Sequence, residues 1–311
     1  MPVTDAVDPR LATALVDHVE RVVLGKHAVV ELAVTTLLAG GHLLIEDVPG
    51  LAKTLLARAL ARAIGADERR IQGAPDLLPT DLTGASVWRP DDHRFQFIPG
   101  PLFANVVLVD EANRMPPRTQ AALLEAMEEG QVSADGVTHV LPQPHLVIAT
   151  QNPIEQQGTY PLPEAQLDRF TAATNVGYPD PVHEAAIIAG QLHTAPLSSL
   201  GPLLDLHQLA ALQAAARSVV VTAPLVDYVV RLVAVTRTLP GVRLGASPRA
   251  GLQLARMAQA AALLQGRGHA LPDDVKRLAG PVLTHRVLTH PGAPTPAEVI
   301  AHAVAHTPVD R

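Results

Sequence analysis

Three groups of residues in this chain have types and spacings suited to phosphate chemistry. The first is His42-Leu43-Leu44-Ile45-Glu46-Asp47-Val48-Pro49-Gly50-Leu51-Ala52-Lys53-Thr54-Leu55-Leu56. In the generic pattern G-x-x-x-x-G-K-[ST], backbone N–H groups and a helix N-terminus cradle phosphates, the lysine reaches the β/γ oxygens and the hydroxyl holds Mg2+. Lys53 and Thr54 fit, whereas Asp47 and Ala52 stand at the two glycine positions. An alanine adds one methyl group, tolerable at negative φ; Asp47 must turn its carboxylate away from the phosphates, and Pro49-Gly50 can still make the tight turn. Lysine is rare here: Lys26, Lys53 and Lys276 are the only three among 24 basic residues. A chain that defaults to arginine yet keeps lysine at this position has a use for a compact point charge. The bland alternative is an ordinary strand-turn-helix corner.

The second group is Asp110-Glu111, 57 residues after Lys53. Adjacent carboxylates repel, and the pair is costly unless it is exposed or used to hold a cation. In a phosphate site Asp110 ligates magnesium, directly or through water, and Glu111 polarises the attacking water as general base. The third is Asn152, which reads either as a ligand at the same sheet edge or as the start of an Asn-Pro turn, since Pro153 follows. One further residue breaks a structural rule. Ser247 and Pro248 open a helix whose first turn carries Arg249, although a cation there is disfavoured by roughly 0.3–1 kcal/mol. That placement points to an anionic partner, or else to a neighbouring carboxylate.

The elements that must position these residues can be read from periodicity. His42–Ile45, Val106–Val109 and His145–Thr150 are apolar runs of the length of buried parallel strands, and the first leads into a helix from Leu55 to Ile64. Arg69–Gln72 and Ala172–Val176 supply two more strands. Leu11–Val23 and His27–Leu38 form helices before the first strand, with Gly40-Gly41 as the stop. Val23 and Leu24 either wall an adenine ring or simply pack a helix end. Ser86–Phe97 alternates around Arg89–Arg94 and predicts a hairpin or an insertion; Pro116-Pro117 opens a helix to Glu129, and Val132–Leu141 centres on the hairpin signal Asp135-Gly136. A short helix covers Pro163–Phe170. After a stretch rich in Pro, Ser and Gly, helices dominate: Leu204–Arg217, Pro224–Thr238, Pro248–Leu264 and Pro272–Arg286.

With these motifs in hand, the chain resembles the AAA+ ATPases, and within them the MoxR group, over nearly its whole length. The matching stretches are Glu46–Thr54, Gly100–Asn105, Asp110–Gln120, Ala149–Pro153, Pro163–Phe170 and Ser247-Pro248-Arg249. The resemblance implies an α/β fold, a five-stranded parallel P-loop core plus an all-helical lid. Residues 1–180 are then the nucleotide-binding domain, with a helix-2 insertion at about 84–99 and a pre-sensor hairpin at about 132–141, and residues 181–311 are the lid carrying sensor 2. It further implies ATP and Mg2+ as ligands. Val48, Pro49, Gly50, Leu51, Ala52, Lys53, Thr54 and Leu55 would cradle the nucleotide, and Thr54 and Asp110 the metal. Glu111 would be the base, Asn152 the sensor orienting water, Arg169 the arginine finger reaching a neighbouring subunit's nucleotide, and Arg249 the lid sensor for the γ-phosphate. Arg114 resembles a further motif residue whose role stays open. An arginine supplied in trans implies a ring, a hexamer, and the resemblance implies ATP-driven remodelling of client proteins, with a von Willebrand factor A domain partner.

Bulk properties limit the alternatives. The 311 residues are 48% hydrophobic, with mean hydropathy +0.19, enough for a sizeable core. The net charge is −6 and the arginines are scattered, which disfavours nucleic acid as the main ligand. The absence of cysteine excludes thiolate metal sites, and Met1–Asp5 lacks a leader pattern, so a cytoplasmic protein is expected. The most apolar segment, Ala28–Ile45, is interrupted by Glu31 and Gly40-Gly41 and does not predict a membrane span. Fourteen histidines invite a metal site, but His285 and His290 do not share a helix face and read as structural or surface residues. Two other functions remain: a nucleotide-binding scaffold with little turnover, suggested by Asp47 and Ala52, and the motor subunit of a metal chelatase.

Overall fold

The computed structural model describes residues 8–47, 53–152, 158–185, 189 and 196–309. At its centre lie five parallel strands: β1 (Leu43–Glu46), β2 (Glu68–Gln72), β5 (Val106–Asp110), β8 (Leu146–Gln151) and β9 (Ala172–Thr174), in the order β2-β5-β8-β1-β9. Every residue of β5 is buried, and so are Leu43 to Ile45 of β1 and Leu146 to Thr150 of β8. These are the near-continuous apolar runs of strands covered on both faces. Alternate residues divide between two cores. Leu43, Ile45, Val106, Leu108, Leu146 and Ile148 face one way; Leu44, Val107, Val109, Val147 and Ala149 face the other.

The first face is covered by α1 (Arg10–Glu20), α2 (His27–Leu38) and α3 (Lys53–Ala63). The second is covered by α5 (Pro117–Glu129), through Leu123, Leu124 and Met127. Two hairpins interrupt the core. Between β2 and β5 the chain makes a short helix α4 (Pro79–Thr83) and the pair β3 (Gly84–Arg89) and β4 (Arg94–Pro99), so the alternation from Ser86 is a hairpin. The second pair, β6 (Gln131–Ala134) and β7 (Val137–Val140), turns at Asp135-Gly136, both at positive φ.

Helix α6 (Glu164–Leu167) precedes β9, and α7 begins at residues 181–185. The helices α8 (Leu206–Ser218), α9 (Ala223–Thr238), α10 (Pro248–Leu264) and α11 (Pro272–Leu283) fall where the periodicity predicts them. Helix α12 (Pro296–His306) and the two-stranded pair β10 (Val242–Leu244) and β11 (Leu288–Thr289) have no counterpart among the elements predicted from periodicity. The fifth strand, predicted to reach Val176, stops pairing at Thr174. The helical part shares a continuous core with α1 and α2, pinned by Gln213 Nε2 to Leu37 O at 2.7 Å and Thr13 Oγ1 to Leu264 O at 2.6 Å.

Candidate nucleotide site and the opposite edge

Because the strands are parallel, their C-terminal ends share one edge. Lys53, Asp110, Glu111 and Asn152 all lie there, where open α/β sheets bind ligands. Lys53 opens α3, and its Nζ donates to the carbonyl of Asp47 at 2.9 Å. Burial holds its pKa below the usual lysine range, opposed by the charges of Asp47, Asp110 and Glu111. The Asp47 carboxylate accepts from Gly177 N at 2.6 Å, so it is engaged with the segment after β9. Thr54 sits half-buried in the first turn of α3. Val48, Pro49, Gly50, Leu51 and Ala52 lie outside the described residues, while Leu55 packs against the first core.

The acid pair is built by three neighbouring strands. Asp110 ends β5 and Glu111 follows in the left-handed region (φ 55), a conformation that costs a non-glycine residue about 1–3 kcal/mol. Thr150 on β8 secures that turn. Its hydroxyl accepts from Glu111 N at 2.9 Å and donates to Asp110 Oδ1 at 3.4 Å. On the other side Gly73 N donates to Asp110 O at 2.7 Å, and a Cβ at Gly73 would lie 2.1 Å from Glu111 O, so only glycine fits. Arg70 Nε lies 2.8 Å from Asp110 Oδ2, Gln72 Nε2 3.0 Å from Glu111 Oε2 and Arg114 Nε 3.3 Å from the same oxygen. The buried Asn152 follows Gln151, which pairs with Glu46 in the register of β8 and β1, and Asp47 N donates to Gln151 O at 3.1 Å. The phosphate-loop entrance, the carboxylates and Asn152 thus converge. A magnesium ion suits this donor set: the Asp110 carboxylate and Thr54 hydroxyl are hard oxygens, and the remaining positions would fall to phosphate oxygens and water.

Arg169 and Arg249 are elsewhere. Helix α5 leaves the carboxylate edge at Pro117 and its 13 residues run back about 20 Å. It ends beside the start of β1, where His42 Nε2 lies 3.1 Å from Met127 O. The next residue, Glu128, meets both arginines: Oε2 is 3.0 Å from Arg169 Nε and Oε1 is 2.5 Å from Arg249 Nη1. Arg169 precedes the N-terminus of β9, so this cluster occupies the N-terminal edge of the sheet. The cation at the start of α10 is thereby explained locally, since it reaches a carboxylate at the C-terminal, electronegative end of α5.

The lid fixes the backbone around these arginines. Ser247 caps α10 by accepting from Ala250 N at 3.1 Å, and its hydroxyl donates to Asp168 Oδ2 at 3.0 Å. Arg286, with a side chain 2% exposed, lies 3.2 Å from Asp168 Oδ1 and donates to the carbonyls of Asp168 at 3.3 Å and Phe170 at 2.5 Å. Burial lowers its pKa to about 10, partly offset by Asp168, so it stays charged at neutral pH. Arg169 is therefore presented between two residues gripped by one buried lid arginine.

A family model described as "ATPase family associated with various cellular activities (AAA)" matches residues 42–172, and one described as "AAA lid domain" matches residues 234–303. Over 287 residues the chain is 45% identical to Chaperone MoxR1 of Mycobacterium tuberculosis, covering 88% of this chain and 74% of the relative. The chain belongs to the MoxR-type AAA+ ATPases. It is also 46% identical over 293 residues to YeaC of Bacillus subtilis, covering 94% and 91% of the two chains. The crystal structure of a putative ATPase from Cytophaga hutchinsonii superposes with a TM-score of 0.91 at 34% identity, covering 97% of this chain and 96% of that one.

Within this MoxR-type chain, five residues around the two edges are not predicted as site residues by the sequence: Arg70, Gln72 and Gly73 beside the carboxylates, and Glu128 and Arg286 around the arginines. Only Gly73 carried a local signal, a glycine directly after a strand. Among the described residues no group of three or more His, Asp or Glu is arranged to hold a metal, and no helix is long and apolar enough to cross a membrane.

Proposed function

We propose that this MoxR-type protein binds and hydrolyses ATP at the C-terminal sheet edge and that a second copy completes each site with the arginines of its N-terminal edge. The observation that carries this reading is the placement of Arg169 and Arg249 a helix length away from Lys53, Asp110 and Glu111. In hydrolysis, Glu111 accepts a proton from the water that attacks the γ-phosphorus, and the bond from that phosphorus to the ADP oxygen breaks. Asn152 orients the water, Lys53 holds the β/γ oxygens, and Thr54 with Asp110 holds Mg2+, which when bound neutralises charge on the phosphate oxygens. Arg169 and Arg249 stabilise the charge developing on a neighbour's γ-phosphate. Such a head-to-tail contact repeats around a closed ring, and a hexamer is the assembly we favour.

The work done by turnover is remodelling of a client protein, with a von Willebrand factor A domain protein as partner and the cytoplasm as location. Support for the chaperone role comes from MoxR1, a relative named as a chaperone. Residues 1–180 form the motor domain in this reading and residues 181–311 the lid. Steady-state ATPase activity against protein concentration tests the core of it. Specific activity should rise with concentration, and both Glu111→Gln and Arg169→Ala should lose it, the latter by on the order of 10³-fold or more. Wild-type protein that binds ATP without turnover at any concentration would instead identify a nucleotide-dependent scaffold.

A further inference from the structure

Glu128 links two arginines that come from distant parts of the chain, one ahead of β9 and one in the first turn of α10. Its two oxygens are divided between them, Oε2 to Arg169 and Oε1 to Arg249. Both backbones are fixed independently of it: Arg286 holds the residues on either side of Arg169, and Ser247 joins the start of α10 to Asp168. What remains free is the position of the two guanidinium groups. Without an anion between them they repel, and each long side chain has many rotamers.

We propose that Glu128 is a positioning residue that holds Arg169 and Arg249 as a pair, so that a single triphosphate presented by a neighbouring copy meets both together. This inference rests on the trans reading above. Three features fit the role. Glu128 is itself well placed, because its helix turn is anchored through Met127 O to the buried His42. All three side chains are only partly buried, with exposures of 40%, 28% and 37% for Glu128, Arg169 and Arg249, so the ion pairs are weak enough to yield to a triphosphate. One carboxylate against two cations also leaves a net positive charge at the surface, which a polyphosphate can satisfy and a second carboxylate would cancel.

Glu128→Gln keeps the size and removes the charge. At saturating protein concentration we expect kcat to fall by on the order of tenfold while KM for ATP stays within twofold, because the neighbour's phosphate cradle is untouched. The effect should be non-additive: in an Arg249→Ala background the same substitution should cost no more than about twofold, since there is no longer a pair to hold. A wild-type rate for Glu128→Gln overturns the proposal, as does a faster rate, which would make the carboxylate a restraint on the arginines. A full tenfold loss persisting in the Arg249→Ala background also overturns it, by showing that Glu128 acts elsewhere. Arg169→Ala run alongside separates the two levels. If that variant keeps the wild-type rate, the trans reading itself fails; if it is inactive while Glu128→Gln is normal, only the role of Glu128 falls.

Discussion

The two edges of the central sheet are built on different principles. At the C-terminal edge Lys53 lies in the field of Asp47, Asp110 and Glu111, Arg70 faces Asp110 and Arg114 faces Glu111, while the Glu46 carboxylate accepts from the amide of Gln151. At the N-terminal edge two arginines share one glutamate. The first edge sets the carboxylates of Glu46, Asp47, Asp110 and Glu111 against Lys53, Arg70 and Arg114, a negative excess; the second sets two arginines against one glutamate, a positive one. Each edge has the charge the other lacks. The 13-residue helix α5, about 20 Å long, keeps the two apart within one chain. This difference in charge is what the proposed head-to-tail assembly rests on.

The sharpest way to break this comparison is to mix two inactive variants. Glu111→Gln carries intact arginines and Arg169→Ala an intact acid pair. In a one-to-one mixture a site is whole where its own subunit keeps Glu111 and its neighbour keeps Arg169, about one site in four for random assembly. Activity should rise from below about a thousandth of wild type to about a quarter. If Arg169 served its own subunit's nucleotide, the mixture would stay as inactive as its parents. The same mixing with Arg249→Ala gives a smaller effect, because that variant should retain part of its rate. Several-fold more activity than the average of the separate proteins places Arg249 in trans; simple averaging would place it over its own nucleotide, which requires the lid to move away from Glu128.

The phosphate edge was far more legible in the sequence than the arginine edge, for a physical reason. Lys53, Asp110-Glu111 and Asn152 each sit at the end of a buried strand or the start of its following helix, so local hydrophobic runs announce both the element and the edge. Parallel strands then bring the ends together without further information. Glu128 belongs to an unremarkable helix terminus, Ala126-Met127-Glu128-Glu129, and its meaning arises only when residues 128, 169 and 249 meet in three dimensions. Arg286 is disguised differently. A basic residue near a helix end is ordinary, and nothing local marks this one as buried under Asp168 and Phe170. Arg249 was half legible: the rule it violates called for an anion, and the anion present in the folded chain is a carboxylate at the end of α5.

The edges should also differ in their response to acid, the smallest of the expected effects. His42 is buried, accepts from Val147 N at Nδ1 (3.0 Å) and donates from Nε2 to Met127 O (3.1 Å). Burial, reinforced by the nearby His145 and Arg249, lowers its pKa to about 3. His285 donates from Nε2 to Phe170 O at 3.0 Å and is likewise lowered to about 3, by burial and by Arg286. In the unfolded chain both titrate near 6.5, so below that pH the unfolded state takes up protons that the folded state refuses. Stability is therefore full above about pH 6.5 and falls by about 1.4 kcal/mol per pH unit at His42, with His285, less completely covered, adding a smaller share. Between pH 7.5 and 5.5 the urea midpoint should drop correspondingly, by about 1–3 kcal/mol in unfolding free energy. Carboxylates with lowered pKa, such as Asp180 and Glu298, withdraw their stabilisation only at lower pH, which leaves this window to the histidines. Both histidines hold backbone carbonyls beside the arginines, at Met127 next to Glu128 and at Phe170 next to Arg169. Acid should thus weaken concentration-dependent activity before it weakens nucleotide binding, and a midpoint unchanged over these two pH units would show that neither ring is held neutral by the fold.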